Sequence, residues 1–189
     1  MDITQLILDD HHEQRRRFAM LEQIAPTDTR VLANLWARLA VFLEVHAAAE
    51  EEIFYPELLA LAIGASPLAR AEPETIDAIA DHNDIRDSIA AVASHPAGSQ
   101  GWRDAVAAVN LANGDHMAEE EREGLTDFRR RVSLQKRHEL AVAFADFEAR
   151  NFDGVRPVDK DPQTYVRETE AAERASHEAG SLGIGRLRS

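Results

Sequence analysis

Three clusters of turn-forming residues, Ala25-Pro26-Thr27-Asp28, Gly64-Ala65-Ser66-Pro67 and Pro96-Ala97-Gly98-Ser99, divide the first 150 residues into four long stretches. Each stretch is rich in Ala, Leu, Glu and Arg, repeats its apolar residues at spacings of three and four, and lacks strand-like alternation. The first helix is predicted from Asp2, as N-cap, to Ile24. The second runs from Thr27 or Asp28 to the Tyr55-Pro56 step, where Pro56 kinks or ends it. A third opens near Pro73 and reaches Ser94. A fourth starts after Ser99 and passes Glu120, and Ser133 caps a short fifth helix ending near Asn151. Long helices with short connections predict an all-α chain, an up-down-up-down four-helix bundle over residues 1–151. Beyond it, Asp153-Gly154-Val155-Arg156-Pro157, Asp161-Pro162 and Gly180, Gly183 and Gly185 break the pattern. Residues 152–189 are expected to form an extended or partly disordered C-terminal tail, with one helix over Thr164–Ala179.

The 189 residues include no cysteine, so disulfides, thiolate nucleophiles, iron–sulfur clusters and sulfur-based zinc sites are excluded. Any metal must be held by nitrogen and oxygen. The net charge of −13 has the wrong sign for a generic nucleic-acid binder. Residues 153–189 carry six basic and seven acidic residues, so the acidity belongs to the bundle. The longest apolar run, Leu58 to Ile63, is too short to span a membrane, and Met1-Asp2-Ile3-Thr4 opens no secretory signal. The expectation is a soluble cytoplasmic protein, monomer or small homo-oligomer, with neither nucleic acid nor membrane as partner.

Each predicted bundle helix places a histidine on its apolar seam. The seams read Ile3, Ile7, His11, Gln14, Phe18; then Leu39, Phe42, His46, Glu50, Ile53; then Ala78, His82, Ile85, Ile89; and Val109, Asn113, His116, Glu120. Glu50 and Glu120 follow their histidines by four residues, one turn along the same face. In an antiparallel hairpin, residues equidistant from the turn lie at one height. The midpoint of 11 and 46 falls beside Thr27-Asp28-Thr29, that of 46 and 82 at Gly64, and that of 82 and 116 at Gly98-Ser99. The four histidines are therefore expected in one layer, with both glutamates beside them. Two buried carboxylates each cost several kcal/mol unless a cation compensates them. Arg86 is the only basic residue near the seam, whereas a metal uses carboxylate oxygens and imidazole nitrogens together. Imidazole with carboxylate suits iron, manganese or zinc. Two six-coordinate ions offer about twelve positions. The imidazoles and two bridging carboxylates fill about eight, and a bridging oxo or hydroxo group about two, leaving about two open.

Asp10-His11-His12-Glu13, His46-Ala47-Ala48-Ala49-Glu50, Asp81-His82 and His116-Met117-Ala118-Glu119-Glu120-Glu121 resemble, in order, the motifs of the hemerythrin-like, HHE cation-binding domain. The resemblance spans roughly residues 1–150. It implies a non-haem centre of two iron ions with a bridging oxo or hydroxo group. His11, His46, His82 and His116 are implied as ligands, with Glu50 and Glu120 as bridging carboxylates. Glu121 is the alternative to Glu120, because oxygen-carrying members place that carboxylate one residue further on. Those members also carry a second histidine four residues beyond the third-helix one, where this chain has Arg86. Simple reversible oxygen carriage is therefore not expected.

Tyr55 is a candidate to fill the gap and to act in catalysis. It lies about 140° round an ideal helix from Glu50, but Pro56 distorts that turn, so packing residue and phenolate ligand both stand. His12, His95, His138 and His177 have no partners that suggest ligation. Asp10, Asp81 and Asp115 each precede a seam histidine and can fix an imidazole on a neighbouring helix, or be solvated. The functions implied are reaction with a small oxidant (peroxide, dioxygen or nitric oxide), by catalase-type chemistry or on nitric oxide. The alternative is a non-enzymatic oxygen, redox or iron sensor or an iron-binding protein.

Overall fold

The computed structural model describes residues 1–63 and 68–184, and among these the secondary structure is helical without strands. The expected turn at Gly64–Pro67 and the glycine at 185 lie outside the described residues. Helix α1 spans Ile3–Glu22, opened by Asp2, whose carboxylate accepts from the Thr4 amide at 3.1 Å. Helix α2 spans Thr29–Ala49 and passes without interruption through a π-helical turn, Glu50–Phe54, into α3, Tyr55–Ile63. Helices α4 (Ala71–Val92) and α5 (Gln100–Arg122) follow, and Ser99 caps α5 by accepting from the Trp102 amide. Helix α6, Gly124–Arg131, was not anticipated; α7, Leu134–Arg150, begins at the expected Ser133 cap.

Helices α1, α2, α4 and α5 form a closed ring in which each packs on two others. At one end of the ring Gly98 takes a φ of +81°. A side chain there would collide with the Pro26 carbonyl, so the α1–α2 and α4–α5 turns are pressed together through a residue without Cβ. Above that end lies one apolar core built on Phe18, Leu32, Trp36, Ile89, Trp102 and Val109. A second core, built on Ile3, Ile7, Phe54, Leu58, Phe128 and Phe144, fills the other end. The histidines lie between the two.

Pro56 does not end the second helix. A proline inside a helix removes one N–H and clashes with the carbonyl four residues back. Here the chain widens beforehand, so that the Tyr55 amide donates to the Glu50 carbonyl, five residues back. The rod over Thr29–Ala62 is long and apolar enough to cross a membrane by length and composition alone. It nonetheless carries buried His46 and Glu50 at its centre and packs on α1, α4 and α7.

After Asn151 the chain turns at Gly154 (φ +125°) and runs without regular structure to Asp161. It then forms α8, Pro162–Ile184, longer at both ends than the expected Thr164–Ala179. Helix α8 lies against α3 and α4, with Val166 buried.

Candidate metal centre

His11, His46, His82 and His116 come from four different helices and are all at most 4 % exposed. Their rings interlock in pairs, His11 with His46 at 5.2 Å between centroids and His82 with His116 at 4.6 Å. Between the pairs stands Glu50, fully buried. Its Oε1 is 2.9 Å from His46 Nε2 and 3.8 Å from His11 Nε2, and its Oε2 is 3.3 Å from His82 Nε2. The donor atoms therefore fall into two trios, His11–His46–Glu50 and Glu50–His82–His116, each with its atoms within 4.8 Å of one another. Glu50 belongs to both. Glu120 reaches the first trio, with Oε2 3.4 Å from His11 Nε2. The structure thus brings together all six residues expected from the sequence.

The outer nitrogen of each imidazole faces a carboxylate. His11 Nδ1 is 3.0 Å from Glu121, His46 Nδ1 3.2 Å from Asp10, His82 Nδ1 2.8 Å from Glu51, and His116 Nδ1 3.4 Å from Asp81. A carboxylate accepts only, so each Nδ1 carries a hydrogen and Nε2 is the nitrogen each ring turns inward, toward any metal. Two such nitrogens, Nε2 of His82 and of His116, face each other across 3.1 Å. That contact is repulsive unless a proton or a metal ion lies between them.

The same conclusion follows from unmet polar atoms. His11 Nε2, His46 Nε2 and both oxygens of Glu50 and of Glu120 are buried without a hydrogen-bond partner. Buried polar groups in folded proteins are nearly always satisfied, and an unpaired buried carboxylate costs several kcal/mol. The unpaired atoms here are inward-facing, nitrogen or oxygen, and clustered. They fit a metal with imidazole and carboxylate ligands. The field agrees: although burial pushes His11's pKa down, the carboxylates of Glu120, Glu121 and Glu50 around it raise it to about 10.

Glu121 sits on the outer nitrogen of His11, where Arg15 also binds it at 2.8 Å, and Glu120 is the carboxylate that faces inward. Asp10 and Asp81 hold neighbouring-helix histidines, while Asp115 is exposed. Glu51, unremarked in the sequence, is 1 % exposed and accepts from His82, from Arg86 at 2.5 Å and from Lys160 at 2.6 Å. Burial pushes its pKa up, but these three donors hold it down to about 2. Arg86 therefore points into this outer cluster. The signal for Glu51 was present in the Glu50-Glu51-Glu52 run, but an acidic run on a helix reads first as a solvated face.

Tyr55 turns inward. Because the π turn closes on the fifth residue, Tyr55 returns toward the face of Glu50 instead of lying 140° away. Its ring is 5.7 Å from that of His82, and its hydroxyl is buried without a hydrogen-bond partner. Burial and the neighbouring Glu120 and Glu50 carboxylates push its pKa well up. Beside it opens a cavity of about 60 Å³, lined by Tyr55, His116, Glu120, Asp81, Glu74 and Glu123 among others. It has room for a few water-sized molecules.

A family model described as the hemerythrin HHE cation binding domain matches residues 2–126, a range that contains all six inward-facing donors. No curated protein and no solved structure matches the chain.

Proposed function

The chain belongs to the hemerythrin HHE cation-binding domain family, and from that premise we propose that it is a non-haem di-iron protein. It reacts with small oxidants, either breaking down hydrogen peroxide in the manner of a catalase or acting on nitric oxide. The observation that carries the reading is Glu50, whose two oxygens face two different histidine sets. Nε2 of His11, His46, His82 and His116, with the carboxylates of Glu50 and Glu120, would hold two iron ions and an oxo or hydroxo group. Bound there, the pair supplies reversible changes of oxidation state and open positions for a small ligand.

The side chains of this protein do the rest. Asp10, Glu51, Asp81 and Glu121 fix the imidazole tautomers and orientations. The cavity beside Tyr55 limits access to molecules of a few atoms. Its carboxylate lining disfavours anions, which suits neutral peroxide, dioxygen or nitric oxide. Tyr55 keeps its phenolic proton in the wall of that cavity. Asp81, at the wall and 39 % exposed, can exchange protons with solvent.

A non-enzymatic sensor is the second reading, favoured by one observation. Glu51, which holds His82, is also held by Lys160 from the C-terminal segment, so the centre and the tail share a residue. Oxygen evolution from added peroxide by the iron-loaded chain, abolished in His46→Ala, supports the enzyme. Full iron content without turnover of peroxide or nitric oxide refutes it and leaves the sensor.

A further inference from the structure

The segment after α7 lies outside the matched family range, yet it reaches the residue behind His82. Three contacts make the connection. Lys160 Nζ is 2.6 Å from Glu51 Oε2. Asn83, next to His82 in α4, clamps Lys160 by its backbone: its Nδ2 donates to the Lys160 carbonyl at 2.8 Å, and its Oδ1 accepts from the Lys160 amide at 3.1 Å. The Tyr165 hydroxyl donates to the Glu51 carbonyl at 2.5 Å.

The last contact has a backbone cause. In the π turn the Tyr55 amide is used by the Glu50 carbonyl. The next donor in that register would be residue 56, which is proline and has none. The Glu51 carbonyl is left without a helical partner, and Tyr165 supplies the hydrogen. Tyr165 also places its ring under the Lys160 ammonium, 5.3 Å from the centroid. Both ends of Glu51, main chain and side chain, are thus held from the C-terminal segment, while its Oε1 accepts from His82 Nδ1.

We propose that Lys160 and Tyr165 are positioning residues for the metal centre, setting the electron donation of His82 through Glu51. This rests on the di-iron reading. The physical basis is charge sharing: a carboxylate that also binds an ammonium and a guanidinium polarises the imidazole N–H less than a free one. With Lys160 neutralised, Glu51 draws harder on the His82 hydrogen, the imidazole becomes a stronger donor, and the oxidised metal is favoured. The lost positive charge acts in the same direction.

The test is the reduction potential of the iron-loaded full-length chain, read by optical redox titration, after iron content has been measured for every variant. Lys160→Met and Lys160→Gln are expected to keep full iron and shift the potential downward, while Lys160→Arg retains the native value. Lys136→Met is the control. It removes a comparably exposed lysine paired with Glu57, so it subtracts the same charge without touching Glu51, and it is expected to leave the potential in place. An unmoved potential at full iron in both neutral Lys160 variants overturns this proposal alone, as does an equal shift in Lys136→Met. A wild-type chain that takes up no iron overturns the di-iron reading and this proposal with it.

Discussion

Oε2 of Glu50 lies 3.3 Å from Nε2 of His82, on a separate helix, while Oε1 of the same carboxylate is 2.9 Å from Nε2 of His46, one turn back on its own rod. The two trios depend on Glu50 together but on His116 only singly. Glu50→Ala is therefore expected to lose nearly all iron, whereas His116→Ala keeps about half, as a site with two separable ions requires. Elemental analysis of both variants after identical loading checks this. Equal loss in both would mean that the trios do not act as separate sites.

Glu51 carries no inward-facing atom, and its replacement is expected to act from behind. Glu51→Gln should weaken iron binding by roughly 10- to 100-fold, the usual effect of losing the partner of a ligating histidine. It should also destabilise the chain by about 3–5 kcal/mol, because the buried Arg86 loses its carboxylate. Chelator competition and denaturant unfolding measure the two effects. Native iron affinity in this variant would contradict the outer role given to Glu51.

The Glu51 carbonyl offers a backbone test. Tyr165→Phe leaves it without a donor and should cost about 1–3 kcal/mol. Pro56→Ala restores an amide in the register of that carbonyl. In the Pro56→Ala background, Tyr165→Phe should therefore cost less, a coupling that a double-mutant cycle of unfolding free energies resolves. Additive effects would show that the two residues do not serve the same acceptor.

Loading should be pH-dependent with a definite sign. His11, raised to about 10, holds a proton at neutral pH. A metal ion needs the lone pair on that imidazole, so binding must expel the proton. Affinity is then expected to rise with pH, by about tenfold per unit for each proton released, until His11 is already neutral near its own pKa. Calorimetry in two buffers of different ionisation enthalpy counts the protons. A count of zero at neutral pH would contradict the charge state assigned to His11.

The histidine layer was legible because it is written in local rules. Spacing of four puts Glu50 over His46 and Glu120 over His116, and turn midpoints set all four histidines at one height. Tyr55 was harder. Whether residue 55 faces Glu50 depends on whether the turn closes on four residues or five, and Pro56 announces a disturbance without stating its form. The outer carboxylates were half legible: Asp10 and Asp81 could be suspected from their neighbours, Glu121 was read as an inward alternative to Glu120, and Glu51 sits in an acidic run that looks solvated. Lys160 and Tyr165 carried no signal at all. Their contacts with Glu51 span more than a hundred residues, and no local periodicity in the C-terminal segment encodes a partner that far away.

The most direct test of the account is the molar ratio of iron to protein in the full-length chain after anaerobic loading and removal of loose metal. Two trios sharing Glu50 predict about two irons per chain. A ratio of one, or none, would contradict the centre described here.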